Sequence, residues 1–120
     1  MSRFLQLVEE ARGKIRETTV AEVHRRIEAG DQFYLIDVRE ESEWLRGRIS
    51  GANWLGKGVI ERDVERAIPG TEEEIVLYCG GGHRSALAAD ALRRMGYTNV
   101  WSMAGGIGEW FQAGLPLDRG

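Results

Sequence analysis

The chain has 120 residues, enough for one domain that buries a single hydrophobic core. The chain has 16 Lys and Arg residues and 19 Asp and Glu residues. The resulting net charge of −3 gives no global attraction to nucleic acid, whose general binders usually carry the opposite sign, so any bound anion must be held locally. The single cysteine, Cys79, excludes an intrachain disulfide, and no apolar run approaches the roughly 20 residues that a membrane-spanning helix needs. We therefore expect a cytoplasmic protein without nucleic-acid or membrane partners.

The first third of the chain predicts two helices and one strand. Apolar residues at helical spacing in residues 4–15 predict an amphipathic N-terminal helix. A capping-box pattern that begins at Thr19, followed by Gly30 at the far end, predicts a second helix. Residues 33–38 form a continuous apolar run that is too short for a helix. This run predicts a strand that is buried on both faces of a parallel sheet.

The rest of the chain alternates between strand and helix patterns. Predicted strands lie at residues 53–55, 74–79 and 100–103, and predicted helices at 40–45, 59–67, 85–95 and 107–113. This alternation predicts a βαβ architecture with a mostly parallel sheet and helices on both faces. In such sheets, ligands bind beyond the carboxyl ends of the strands, where loops lead into helices.

The segment Cys79-Gly80-Gly81-Gly82-His83-Arg84-Ser85 occupies that position after the predicted strand 74–79. Three consecutive glycines permit positive φ and close approach of the backbone, so their amide groups can turn inward and form an anion-binding nest. These amides and the positive end of the following helix would favour the thiolate form of Cys79. A lone cysteine is more often a small apolar residue in the core. The glycine loop favours the reactive interpretation here.

This loop resembles the active-site loop of the rhodanese-like sulfurtransferases, whose pattern is Cys-x-x-Gly-x-Arg-Ser. Cys79, Gly82, Arg84 and Ser85 match that pattern. Flanking motifs of the family match at residues 35–40, 47–52 and 104–116, in the same order, and the resemblance covers roughly residues 18–117. It divides the chain into an N-terminal helical extension, residues 1–17, and a rhodanese-like domain, residues 18–120.

The resemblance implies a fold and a reaction. The fold would be α/β, a three-layer α/β/α domain with a five-stranded, mostly parallel sheet. The reaction would transfer sulfane sulfur through a persulfide on Cys79. The donor would be a small anion such as thiosulfate, and the acceptor a thiol, cyanide or a protein. No metal or organic cofactor is needed for this chemistry.

The residues around Cys79 have candidate roles in this reaction. The loop from Gly80 to Ser85 would hold the substrate and the persulfide, with Ser85 starting the helix and offering its hydroxyl to a loop amide. His83 either adds positive charge or is an exposed loop side chain. Arg84 either binds a donor sulfonate or turns back to Asp37 or Glu43 and braces the loop, and bracing is the favoured role. Candidates for the mouth of the pocket are Arg46, Arg48, Trp54 and Lys57.

Two other classes of function compete with sulfur transfer. Phosphatases and arsenate reductases of a related fold place five residues between Cys and Arg, whereas four residues separate Cys79 from Arg84. The shorter loop should form a tighter cradle that suits a sulfur atom better than a phosphoryl group. The second alternative is a non-catalytic or sulfur-relay module that docks a partner, and the amphipathic N-terminal helix is its best support.

Overall fold

In the computed structural model, which describes residues 1–119, short strands alternate with helices along the chain. The helices are α1 (Arg3–Arg12), α2 (Val20–Glu28), α3 (Glu41–Arg46), α4 (Ile60–Ala67), α5 (His83–Arg94) and α6 (Gly106–Gln112). The strands are β1 (Arg16–Thr19), β2 (Tyr34–Asp37), β3 (Arg48–Ile49), β4 (Asn53–Trp54), β5 (Ile75–Tyr78), β6 (Val100–Ala104) and β7 (Leu117–Asp118). Every predicted helix and strand is present, with ends that differ by a few residues.

Five strands form one sheet in the order β1-β6-β5-β2-β4, and every pair in it is parallel. The predicted α/β fold with a five-stranded sheet is confirmed, and the sheet is parallel throughout. The four residues of β5 are all buried because helices cover both faces of the central strands. β3 and β7 pair separately as a short antiparallel ribbon.

The hydrophobic core lies in two clusters, one on each face of the sheet. Alternate residues of β5 point to opposite faces, so Leu77 and Cys79 join α4 and α5 in one cluster. Val76 and Tyr78 join α2 and α6 in the other cluster. These clusters give the molecule its three α/β/α layers. Within residues 1–119, no helix combines the length and the apolar character that crossing a membrane demands.

The amphipathic helix α1 packs on α5, the helix that follows the cysteine loop. Val8 and Ala11 of α1 are buried, whereas Phe4 stays 45% exposed. The helix ends at Arg12, so Ile15 lies outside the helix on which it was predicted. The division of the chain into residues 1–17 and 18–120 stays a prediction.

Three strands were not predicted, and each has a physical reason to escape notice. β1 (Arg16–Thr19) contains only charged and hydroxyl side chains, because it is an edge strand held to β6 by backbone hydrogen bonds. β3 and β7 have two residues each, too few to show an alternating pattern.

The Thr19 side chain accepts a hydrogen bond from the Glu22 amide and caps α2 as predicted.

Candidate active site

The cysteine loop lies at the carboxyl end of the central strand β5 and leads directly into α5. Cys79 is only 1% exposed. Gly82 has a φ of +104° and is the N-cap of α5, a conformation that strongly favours glycine. The chain therefore turns sharply back over the cysteine, and the start of α5 lies beside its sulfur.

Two backbone amides point at the sulfur of Cys79. The Gly82 N–H donates to Sγ over 3.2 Å and the Ser85 N–H over 3.4 Å. Such donors stabilise a thiolate more than a thiol, because the negative charge strengthens both hydrogen bonds. Sequence analysis assigned this role to the whole loop from Gly80 to Ser85, and the structure brings these two amides to the sulfur.

Ser85 connects the cysteine to a buried hydroxyl on the neighbouring strand β6. Its Oγ lies 3.6 Å from the Cys79 Sγ and 2.7 Å from the Ser102 Oγ, and both serines are fully buried. Because α5 begins at His83, Ser85 lies inside the first turn and does not start the helix as expected. Its hydroxyl contacts the sulfur and Ser102, whereas the expected contact was with a loop amide. Sequence analysis missed Ser102, a polar residue inside a predicted strand.

Replacing Ser85 with alanine is expected to lower the free energy of unfolding by about 1–3 kcal/mol, because Ser102 keeps a buried hydroxyl without a partner. The double variant Ser85→Ala/Ser102→Ala removes both hydroxyls and should cost less than Ser85→Ala alone. Urea unfolding of the wild type, both single variants and the double variant measures this cycle. A double variant less stable than Ser85→Ala would contradict the pairing.

The start of α6 holds the cysteine loop through two backbone hydrogen bonds. The Ile107 N–H donates to the Cys79 carbonyl over 2.9 Å, and the Gly108 N–H donates to the Gly80 carbonyl over 3.0 Å. Gly106 has a φ of +59°, and a Cβ there would overlap the same two carbonyls. Sequence analysis gave these residues no role of their own, although three glycines within residues 105–108 were a visible signal of close backbone approach.

Arg84 forms a two-pronged ion pair with Glu43 of α3. Its Nη1 and Nη2 atoms lie 2.7 Å and 3.1 Å from the carboxylate oxygens of Glu43. Hydrogen bonding to Arg84 lowers the pKa of Glu43, and the same bond raises the pKa of Arg84. Of the two partners expected for Arg84, the structure selects Glu43. Asp37 does not pair with Arg84, because its carboxylate is occupied by Arg39.

We expect the Glu43 ion pair to stabilise the fold at neutral pH and to lose this effect in acid. The folded pKa of Glu43 lies below its ordinary value of 4.5, so the contribution is complete above that value and disappears as the pH falls through the folded pKa. Both side chains are partly exposed, which limits the effect to about 1 kcal/mol or less. Urea unfolding of the wild type and Glu43→Gln should differ at pH 7 and converge once the pH falls below the folded pKa of Glu43. A constant difference would contradict this assignment.

Asp37 and Arg39 form a buried ion pair next to the loop. Asp37 is fully buried and accepts hydrogen bonds from the backbone N–H, Nε and Nη2 of Arg39. Nη2 also donates to the carbonyl of Gly47. Burial has the largest single effect on the pKa of Arg39 and lowers it, but hydrogen bonding to Asp37 and the nearby negative charges, that of Asp37 first, together outweigh burial and raise the pKa. Asp37 thus organises the turn after β2, while Arg39 is a site residue to which sequence analysis gave no role.

The remaining candidates contact other parts of the fold. The His83 ring makes an edge-to-face contact with Phe4 of α1, with centroids 5.9 Å apart. Trp54 donates its indole N–H to the Arg39 carbonyl and is 38% exposed. Lys57 lines a cavity between α1, α4 and α5, and Arg48 stacks on Trp44. Among the described residues, no hydrogen bond joins Arg46, Arg48, Trp54 or Lys57 to the Cys79 sulfur, and their place at the pocket mouth stays a prediction.

Comparisons with known proteins agree with this arrangement of strand, loop and helix. A family model described as "Rhodanese-like domain" matches residues 19–113. Among curated relatives, the putative sulfurtransferase YtwF of Bacillus subtilis is 33% identical over 81% of this chain and 91% of its own length. A sulfurtransferase of Allochromatium vinosum is 30% identical over 86% of this chain and 94% of its own length. The probable adenylyltransferase/sulfurtransferase MoeZ of Mycobacterium tuberculosis is 34% identical, but the chain spans only 25% of its length.

Solved structures share the fold over most of the chain. A protein of unknown function from Rhodopseudomonas palustris, described as a possible tyrosine phosphatase, has a TM-score of 0.84 at 27% identity and matches 98% of this chain and 96% of its own. A thiosulfate sulfurtransferase from Pseudomonas aeruginosa has a TM-score of 0.78 at 28% identity, over 88% of this chain and 20% of its own. The family match covers most of the chain, including the whole cysteine loop. The chain therefore belongs to the rhodanese-like domain family.

Proposed function

We propose that the chain is a sulfurtransferase that carries sulfane sulfur as a persulfide on Cys79. The observation that supports this proposal most is the pair of amide N–H groups, from Gly82 and Ser85, that donate to the Cys79 sulfur. A thiolate is the nucleophile in thiol chemistry, and these donors favour it. Membership of a family whose curated members include proteins named sulfurtransferase adds independent support.

In the first half-reaction, the Cys79 thiolate attacks the outer sulfur of thiosulfate. A new S–S bond forms to Cys79, the S–S bond of thiosulfate breaks, and the electron pair leaves with sulfite. The product is a Cys79 persulfide anion, so charge and atoms balance without an oxidant. The loop amides that contact the thiolate are in place to stabilise this anion.

In the second half-reaction, an acceptor nucleophile attacks the outer sulfur of the persulfide. The S–S bond to Cys79 breaks and its electron pair returns to Cys79 as a thiolate. With a thiol the product is the acceptor's persulfide, and with cyanide it is thiocyanate. We propose a thiol or a protein as the acceptor in the cell. Neither half-reaction needs a metal or an organic cofactor.

Formation of thiocyanate from thiosulfate and cyanide tests this function. We expect turnover by the wild type and none above background by Cys79→Ser, because serine is too weak a nucleophile in this setting and a loaded serine would not carry sulfane sulfur. Circular dichroism of both proteins checks that the variant is folded. Equal thiocyanate formation by the two proteins would refute a role for Cys79.

A phosphatase is the second candidate, because the Rhodopseudomonas palustris protein with a TM-score of 0.84 is described as a possible tyrosine phosphatase. The geometry favours sulfur transfer, since the Arg84 guanidinium is paired with Glu43. A phosphatase of this type needs that arginine to bind the phosphoryl oxygens. We expect no hydrolysis of p-nitrophenyl phosphate that depends on Cys79. Hydrolysis that is lost in Cys79→Ser would reverse the assignment.

A sulfur-relay module is the third candidate and differs from the enzyme only in its acceptor. A relay would form the persulfide but release it to a specific protein and not to small thiols or cyanide. The match to one quarter of MoeZ shows that such domains also occur as part of longer proteins. Turnover with cyanide or a small thiol favours the enzyme. Stable loading without discharge to either acceptor favours the relay.

A further inference from the structure

A cavity of about 320 Å³ lies beside the cysteine loop, between α3 and α6. We call it the arginine groove. Three apolar side chains and three arginines line it: Ile107, Phe111, Leu117, Arg39, Arg46 and Arg119. A volume of this size suits a small molecule. The mixture of an apolar wall and cationic groups suits a ligand with an apolar body and an anionic end.

The groove shares two residues with the framework of the cysteine loop. Gly108 lines the groove, and its amide donates to the carbonyl of Gly80, the residue next to Cys79. Glu43 also lines the groove and holds Arg84 of the loop. A ligand in the groove would therefore contact two of the residues that hold the loop in place.

The net charge of the groove is positive although the whole chain is acidic. Arg39 is neutralised by Asp37, and Glu43 is neutralised by Arg84. Arg46 and Arg119 line the groove and form no ion pair with any carboxylate within residues 1–119. Asp118, the residue before Arg119, accepts a hydrogen bond from Ser50.

Phe111 adds an apolar surface to the same groove. Phe111 is 59% exposed, so its ring offers apolar surface to a ligand in the groove. It lies on α6, the helix whose first turn holds the loop through Ile107 and Gly108. Arg46 on α3 and Phe111 on α6 thus lie on helices that contact the loop, through Glu43 and through Ile107 and Gly108.

We propose that the arginine groove is the binding site of the sulfur acceptor and that it selects small thiols carrying a carboxylate or another anionic group. This inference rests on the proposed sulfurtransferase function. Arg46 and Arg119 attract the anionic end of the acceptor, while Ile107, Phe111 and Leu117 contact its carbon chain. The acceptor thiolate then attacks the outer sulfur of the Cys79 persulfide, as described above. Cyanide, which has neither a carboxylate nor a carbon chain, reacts without the groove.

The test isolates the second half-reaction. Wild-type protein is loaded with thiosulfate, separated from excess donor, and mixed with one of three thiols of similar size: 3-mercaptopropionate (anionic), 2-mercaptoethanol (neutral) or cysteamine (cationic). Loss of the added sulfur is followed by intact mass spectrometry. For each thiol, the rate constant of a variant is divided by that of the wild type, which cancels differences in intrinsic thiol reactivity.

The groove variant is Arg46→Gln/Arg119→Gln. Its matched control is Lys14→Gln/Arg66→Gln, which removes the same amount of charge from positions that do not line the groove. We expect the groove variant to react about fivefold more slowly with 3-mercaptopropionate, and not more slowly with cysteamine. The control variant should match the wild type. Raising the salt concentration from about 50 mM to about 300 mM should shrink the effect.

A second variant tests the apolar wall without a change in charge. Phe111→Ala should slow transfer to 4-mercaptobenzoate more than transfer to 3-mercaptopropionate, because the larger acceptor has more apolar surface to bury. Three outcomes would overturn the proposal. The first is that the groove variant slows transfer equally to 3-mercaptopropionate, 2-mercaptoethanol and cysteamine. The others are that the matched control slows transfer to 3-mercaptopropionate as much as the groove variant does, or that neither the groove variant nor Phe111→Ala slows transfer.

Loading by thiosulfate and discharge by cyanide are measured on the same samples. If the wild type is not loaded by thiosulfate or by any other sulfane donor, the proposed function fails. If loading and cyanide discharge are normal in every variant and the thiol selectivity is unchanged, the function stands and only the groove assignment fails.

Discussion

Gly106→Ala is expected to slow sulfur loading by about 100-fold, because its Cβ has no room beside the cysteine loop. The added carbon would lie 2.5 Å from the Cys79 carbonyl oxygen and closer still to that of Gly80. Both contacts are with backbone, so the loop or the start of α6 must move. That movement displaces the hydrogen bonds that Ile107 and Gly108 donate to the loop. The rate of persulfide formation with thiosulfate measures the effect.

Gly114→Ala is the matched control for this variant. Gly114 also has a positive φ, +72°, but a Cβ there would meet no atom within 4 Å. Gly114→Ala should therefore lower the free energy of unfolding only by the cost of placing alanine in the left-handed region, about 1–2 kcal/mol. Gly106→Ala adds the clash and should be about 1–3 kcal/mol less stable than the control. Equal loading rates in the two variants would show that the contact between α6 and the loop has no role in the reaction.

Asp37→Asn is expected to lower the free energy of unfolding by about 3–5 kcal/mol, the largest effect on stability of any single substitution considered. Asp37 is fully buried and Arg39 is only 7% exposed, so loss of the carboxylate leaves a guanidinium without a counter-charge in the interior. Total stability for a domain of this size is about 5–15 kcal/mol, so the variant keeps only part of it. Urea unfolding measures the loss.

A double variant separates the buried charge from the loss of packing. Asp37→Asn/Arg39→Met removes both charges while keeping a long apolar side chain at position 39. We expect it to be more stable than Asp37→Asn, because no unpaired charge remains. If Asp37→Asn and Arg39→Met were simply additive, the two side chains would not be energetically coupled, and the ion pair would not be what supports this turn.

Sequence patterns predicted those parts of the fold that depend on side-chain burial. The apolar runs at β2 and β5 appear as strands because helices cover both of their faces. β1 was missed because its side chains are polar and its place at the edge of the sheet comes from backbone pairing with β6. Patterns of side chains carry little information about such an edge.

The sequence predicted the amide groups around Cys79 better than it predicted the ion pairs that hold the loop in place. The glycines after Cys79 indicated amides directed at the sulfur, and Gly82 supplies one. The sequence left open whether Arg84 pairs with Asp37 or with Glu43. Arg39, two residues after Asp37, forms the ion pair with Asp37, and Arg84 pairs with Glu43. Contacts of this kind depend on which side chains meet in three dimensions.

The backbone contacts between α6 and the cysteine loop were equally difficult to predict from the sequence. The hydrogen bonds join Ile107 to Cys79 and Gly108 to Gly80, between segments that are distant in sequence. The glycines of residues 105–108 indicate a close approach, but not the partner that approaches. Arg46 was a candidate for the pocket mouth, but the sequence did not indicate that Arg119, from the far end of the chain, lines the same groove.

Intact mass spectrometry after treatment with thiosulfate tests the central claim most directly, because it detects the covalent intermediate itself. We predict that the wild type gains the mass of a single sulfur atom, that cyanide removes it, and that Cys79→Ala gains nothing under the same conditions. Absence of the added sulfur with every sulfane donor tested, or its appearance on Cys79→Ala, would contradict a persulfide carried by Cys79.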